Sequence, residues 1–192
     1  MNRILNLKSL IRAALALACL LASGRIVAQA DAFTGGALTE DTTLLSSSSP
    51  YVISADIIVP TGVTLTVEPG ATLRFQAGRA LRVEGGRFVA EGTPSQPITF
   101  TRDGAGPWGA IVFQNSGADN RIAYATIEYA RVAEANQYWQ GVIAYDSNLL
   151  VEHSTIRHLG LMGLTCERSQ VQVLGNEIYD VGLDGIHIVG GE

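Results

Sequence analysis

The chain has 192 residues, a formal charge of −5 at pH 7, and 16% charged against 47% apolar residues. The first thirty carry 4 of the 13 basic residues and none of the 18 acidic ones, so residues 31–192 hold 13 − 4 = 9 arginines, no lysine, and a charge of 9 − 18 = −9. Such a surface repels phosphate backbones and anionic lipid heads, which argues against nucleic-acid and membrane-surface binding.

Residues 1–30 read as an export signal. Arg3, Lys8 and Arg12 give a basic start, residues 13–22 a short apolar core, and Ala28-Gln29-Ala30 the small-x-small pattern cleaved by a signal peptidase. Cleavage before Asp31 is expected. The apolar run is too short for a finished transmembrane helix, and no later segment is long and uninterrupted enough to span a bilayer. The mature chain is therefore expected outside the cytoplasm, at the cell surface, in a periplasm or in the medium. Ala16-Leu17-Ala18-Cys19 resembles a lipoprotein box only loosely, with the leucine one place off, so Cys19 is read as part of the signal core. Cys166 then stands alone, and the exported domain must hold together without an internal disulfide.

Residues 31–50, with Thr42-Thr43 and Ser46-Ser47-Ser48-Ser49-Pro50, read as a flexible polar lead-in. The 51–59 segment is the expected cap over the first apolar coil end. From residue 51 onward short alternating runs recur beside Gly, Pro, Asn or Ser: Val63-Thr64-Leu65-Thr66-Val67, Thr72-Leu73-Arg74-Phe75, Leu81-Arg82-Val83, Ile98-Thr99-Phe100 and Ile111-Val112-Phe113. Period two means strands. That alone fits a sandwich, a barrel or a solenoid.

A repeat decides between them. Leu149, Val151, Ile156, Gly160, Gly163, Leu164 and Cys166 recur 22 positions later as Val171, Val173, Ile178, Gly182, Gly185, Ile186 and Ile188. Gly141, Val142 and Ala144 keep the same spacing upstream, whereas Ile122 and Ile127 lie 29 before Val151 and Ile156. Seven extra residues thus fall between Ala130 and Gly141. The predicted fold is an all-β, right-handed parallel β-helix over residues 51–192, with coils of about 22 residues stacked at ~4.8 Å. Ile127, Ile156 and Ile178 should form one inward stack, and Ala144, Cys166 and Ile188 another. The chain stops at Ile188-Val189-Gly190-Gly191-Glu192 directly after a repeating strand, so the solenoid is expected to be the front part of a longer protein.

Gly62-Val63-Thr64-Leu65-Thr66-Val67-Glu68-Pro69-Gly70, Arg87-Phe88-Val89-Ala90-Glu91-Gly92-Thr93, Pro97-Ile98-Thr99-Phe100-Thr101, Gly106-Pro107-Trp108-Gly109-Ala110-Ile111-Val112-Phe113 and Ile127-Glu128-Tyr129 resemble the opening of bacterial exported right-handed β-helix repeat proteins. The resemblance implies the fold of pectate lyases. It implies less about activity, since such proteins include polysaccharide lyases and hydrolases as well as surface adhesins. No cluster of calcium-binding aspartates with a downstream arginine base is found, and no catalytic residue is carried over.

Gly104-Ala105-Gly106-Pro107-Trp108-Gly109 matches G-x-G-x-x-G, but a strand rather than a helix follows, so the match is read as a turn. The three histidines lack metal-ligand spacing, and nothing calls for a cofactor or a metal. Tyr129, His158 and Asp180 share one coil position, with Asp184 nearby, and Ile143, Thr165 and His187 share another. The first set is either a solvated ladder or a site that holds a sugar hydroxyl or moves a proton. Arg74, Arg79, Arg82 and Arg87 gather early; they either read carboxylates of an acidic polysaccharide or pair with Glu68 and Glu84. Tyr138 and Trp139 lie in the inserted segment, where solenoids commonly place binding loops, and are either sugar-stacking rings or rings buried against a coil. The expected function is an exported domain that binds polysaccharide or cell-surface glycan, or serves as a surface scaffold. The rival is a polysaccharide lyase or glycoside hydrolase acting on an acidic polysaccharide.

Overall fold

Alternation of apolar and polar residues over four or five positions, broken by glycines and turns, yields nineteen short strands among the described residues, 32–131 and 141–190 of a computed structural model. The first coil holds β1 (Gly36–Ala37), β2 (Thr42–Leu44) and β3 (Tyr51–Ile53), and the second β4 (Ile57–Pro60), β5 (Thr64–Val67) and β6 (Thr72–Phe75). The third holds β7 (Leu81–Glu84), β8 (Arg87–Glu91) and β9 (Ile98–Arg102), and the fourth β10 (Ala110–Gln114), β11 (Asn120–Ala123) and β12 (Ala125–Glu128). The fifth is β13 (Gly141–Tyr145), β14 (Asn148–Glu152) and β15 (Thr155–Leu159), and the sixth β16 (Leu164–Glu167), β17 (Gln170–Leu174) and β18 (Glu177–Val181). β19 (Ile186–Val189) follows.

Every third strand pairs in parallel with the one a coil away, giving sheet A (β1-β4-β7-β10-β13-β16-β19), sheet B (β2-β5-β8-β11-β14-β17) and sheet C (β3-β6-β9-β12-β15-β18). This is a parallel β-helix, as the repeat predicts. Ile127 pairs with Ile156 and Ile156 with Ile178, stacked inside. The first two are fully buried and the third packs partly buried against the core. Cys166 lies between Ala144 and Ile188 in the register and is buried. Burial pushes its thiol pKa up to about 11, which makes it an inert packing group.

The solenoid starts earlier than the sequence suggested. Gly36–Ala37 and Thr42–Leu44 are strands paired to β4 and β5, and Leu38 and Leu44 are buried, so residues 31–50 are not merely a polar lead-in. Nor is 51–59 a cap: Tyr51, Ile53, Ile57 and Val59 are inward residues of the first two coils. Phe33 packs against that core, its ring edge-on to Tyr51 at 6.4 Å. The segment escaped recognition because its strands are two and three residues long, too short for alternation to register.

Corners are held by polar ladders. Ser116 N–H donates to Ser147 Oγ (3.0 Å), and Ser147 N–H to Ser169 Oγ (3.1 Å). Buried Asn120 accepts from Phe88 N–H (2.8 Å) and donates to Ser116 Oγ (2.7 Å) and Asn148 O (2.9 Å), so backbone groups turned inward at the bend are satisfied.

Candidate functional site

The outward side chains of sheet C and the corner that follows it carry the richest chemistry of the described residues. Inside that corner, Trp108 is fully buried, stacks on Phe75 (4.5 Å, 16° between planes), and donates its indole N–H to Glu128 O at 2.7 Å. The end of β12 is thereby pinned, and with it the direction in which Glu128 and Tyr129 leave the strand.

Register then sets the columns. Arg74 pairs with Thr101, and Glu128 with Arg157. Thr101 Oγ1 donates to Glu128 Oε1 (3.0 Å), Arg157 Nε and Nη2 both donate to Glu128 Oε2 (2.9 Å each), and Arg157 Nη1 donates to the Tyr179 hydroxyl (3.1 Å). The hydrogen bond to Tyr179, then that to Glu128, raises the Arg157 pKa further, so its charge is fixed. One residue further along each strand runs the expected Tyr129/His158/Asp180 ladder. The Tyr129 and His158 rings stack at 5.0 Å with 13° between planes, and His158 Nδ1 contacts Asp180 Oδ2. A carboxylate oxygen accepts, so the Nδ1–H is the donor in this contact. Sequence reasoning missed the ladder's first member: Arg102 lies 4.1 Å from the Tyr129 ring centroid, a cation over the aromatic face. It also missed Glu128, Arg157 and Tyr179, the last touching His158 edge-on at 6.5 Å. Outward positions next to an inward stack, at the same coil spacing, were the available signal.

Tyr129, His158 and Asp180 all have left-handed backbones, with φ of 61°, 55° and 52°. Asp and His tolerate this region, but a bulky tyrosine there is an outlier that costs on the order of 1–3 kcal/mol. A second such set sits at the opposite edge of sheet C. Tyr124 and His153 both have φ of 47°, and their rings stack at 5.0 Å with 16° between planes.

Other expectations fare differently. Asp184 faces His187 at 3.0 Å. Ile143, Thr165 and His187 do share a column, but Ile143 and Thr165 are buried although they alternate with the inward Val142, Ala144, Leu164 and Cys166. The early arginines do not pair with Glu68 and Glu84: Arg74 bonds Asp103 (2.9 Å), Arg79 and Arg82 face Asp56 (3.6 and 3.4 Å), and Arg87 donates to Asp119 O (3.1 Å). Glu68 instead accepts from Ser46 N–H (2.9 Å). The glycine-rich 104–109 segment leads into β10, a strand, as expected for a turn. Tyr138, Trp139, Cys19 and the signal cleavage site lie outside the described residues. Among the described residues no three His, Cys, Asp or Glu side chains are grouped to hold a metal ion, and no helix is long and apolar enough to cross a membrane.

Three parallel sheets wound into stacked coils, with polar columns outside and an aliphatic-aromatic core inside, define the class as a parallel β-helix domain. The chain matches the pectate-lyase like beta helix domain family over residues 36–161, more than half of its length, and it belongs to that family. The match opens at Gly36, where β1 begins. No curated protein and no solved structure matches the chain. Family membership points to a carbohydrate-related role.

Proposed function

We propose that this is an exported, glycan-binding β-helix domain whose contact surface is the outward edge of sheet C, built on Tyr129, His158 and Asp180 and extended by Arg102, Glu128, Arg157 and Tyr179. The observation that carries the reading is the continuous column from Arg102 through Tyr129 and His158 to Asp180, joined to Arg157 through the His158–Tyr179 contact. It offers ring faces for sugar C–H surfaces and fixed donors and acceptors for hydroxyls. Arg157 is matched by Glu128 and Arg74 by Asp103 within the protein, while Arg102 is spent on the Tyr129 ring face and the Ala105 carbonyl. Together with the charge of 9 − 18 = −9 over residues 31–192, this favours a neutral glycan over a polyanion. Tyr138 and Trp139 belong to the proposal as further ring contacts, and residues 1–30 as the export signal.

Binding is favoured over turnover because the acids are committed: Glu128 accepts from Thr101 and Arg157, and Asp180 is engaged with His158. The test is a panel of neutral and acidic polysaccharides, assayed both for binding and for released reducing ends or unsaturated uronates. Binding without release, lost in His158→Ala/Asp180→Ala, is the expected result. Release of either product that is lost in Glu128→Gln or Asp180→Asn would establish the rival enzyme reading.

A further inference from the structure

The two Tyr–His stacks belong to the same two coils. Tyr124 precedes β12 and Tyr129 follows it; His153 precedes β15 and His158 lies near its end. In each chain segment the two rings are five positions apart, and the register Thr126–Thr155, Ile127–Ile156, Glu128–Arg157 keeps the segments level. At ~3.3 Å per residue, the backbone positions that carry the two ring pairs stand at most ~16 Å apart. Between them Ile127 and Ile156 point into the core, while Thr126, Glu128, Thr155 and Arg157 alternate outward and are part-exposed.

We infer that these ring pairs are the two ends of one binding strip that crosses sheet C along its strands, and that its ligand is an extended neutral oligosaccharide long enough to touch both. This rests on the glycan-binding reading and adds to it a second contact and a required ligand length. The core does not require four rings at left-handed corners: both pairs lie outside the hydrophobic cluster, and on the corner after sheet A an asparagine, Asn115, holds a left-handed backbone. In the neighbouring coil the Tyr124 column passes to Gly175, whose Cα the His153 ring overlies, and the Tyr129 column to Asp180. The paired rings are thus confined to the coils that carry the Thr126/Thr155 and Glu128/Arg157 floor. Between the ring pairs the Arg157 charge is matched by Glu128, so hydroxyls rather than carboxylates are what the floor recognises.

Calorimetry with linear β-1,4-linked glucose and mannose oligosaccharides, disaccharide to hexasaccharide, tests this on the full exported chain. The variants are Tyr124→Asn/His153→Asn and Tyr129→Asn/His158→Asn, in which asparagine keeps the left-handed backbone. Wild type should bind the hexasaccharide at least about tenfold tighter than the disaccharide, and either variant should lose that advantage. Full hexasaccharide affinity in the Tyr124/His153 variant, with loss in the other, overturns the strip and leaves the single-edge reading intact. Unchanged affinity in both variants removes both ring pairs from the contact surface and overturns the strip, and no binding by wild type overturns the glycan-binding reading itself. A collapse of the melting temperature in the Tyr124/His153 variant would make that pair structural and also overturn the strip.

Discussion

Tyr129 and His158 are 29 positions apart in the chain, yet their rings lie 5.0 Å apart and within 13° of parallel. The register that pairs Glu128 with Arg157 brings the next residue of each strand together outside the coil, while Ile127 and Ile156 meet inside it. One pairing thus sets both a core contact and a surface contact, and substitutions on the two sides should behave in opposite ways. Ile156 is fully buried, and Ile156→Ala should destabilise the domain by about 2–5 kcal/mol. His158→Ala breaks a partly exposed pair and should cost less than about 1 kcal/mol. Urea unfolding of both variants checks the contrast; equal losses would mean the outer column is structural.

Asn120 should be the most sensitive polar residue. Its side chain accepts from the buried Phe88 N–H and donates to Ser116 Oγ and Asn148 O. Asn120→Ala leaves the buried Phe88 N–H without its acceptor, at about 1–3 kcal/mol, while Ser116 Oγ keeps its bond to Gly86 O. Asn120→Asp keeps the acceptor but loses the donors, so it should recover only part of the stability. A melting series of wild type, Asp and Ala variants in that order is the expected result.

The core and the Tyr129 ladder were legible because residues 141–190 repeat at a strict spacing, which aligns side chains without knowledge of the backbone. The same arithmetic reaches Tyr124 and His153, since the shift of 29 that matches Ile122 to Val151 matches them too. Earlier coils were less legible for a physical reason: their spacing varies. Gly36 pairs with Ile57, Ile57 with Leu81, and Ile111 with Val142, shifts of 21, 24 and 31. Loops absorb insertions without disturbing the ladder, so counting cannot give the partners of Arg74 or Arg82 there. Only backbone pairing places Asp103 and Asp56 beside them.

Cys166 provides a pH test of the core. With its thiol raised to about 11, roughly one molecule in a thousand carries the thiolate at pH 8, so iodoacetamide should label native protein far more slowly than unfolded protein. The folded state holds this proton more tightly than the unfolded chain, where the value is 9.0, so stability falls as pH rises from 9.0 to about 11. Cys166→Ala should make the decline shallower in that window. Rapid labelling of native protein at pH 8 would contradict the buried placement.

Tyr138 and Trp139 remain a separate prediction. If they are ring contacts, Tyr138→Ala/Trp139→Ala should weaken glycan binding several-fold at an unchanged melting temperature. Binding equal to wild type would remove them from the site. A large fall in melting temperature would favour a packing role for both rings.

Arg157 offers the sharpest test of the outer face, because its geometry demands a guanidinium rather than a charge. Nε and Nη2 both reach Glu128 Oε2 at 2.9 Å, while Nη1 reaches the Tyr179 hydroxyl at 3.1 Å. One planar fork therefore fixes a carboxylate in the coil before it and an aromatic ring in the coil after it. Lysine keeps the charge, but its single ammonium cannot hold both partners in that plane. Arg157→Lys should leave the melting temperature nearly unchanged, since the residue is part-exposed on the outer face and keeps its charge, and yet weaken glycan binding by about tenfold as Tyr179 and Glu128 lose their fixed orientation. Arg168 is the control. It makes an equivalent pair with Asp146, through Nε at 3.0 Å and Nη2 at 2.9 Å, on the corner after sheet A. Arg168→Lys should leave binding at the wild-type level. If the two lysine variants weaken binding equally, the effect is one of general surface charge and the sheet C edge is not the contact surface. If neither does, Arg157 serves the fold alone.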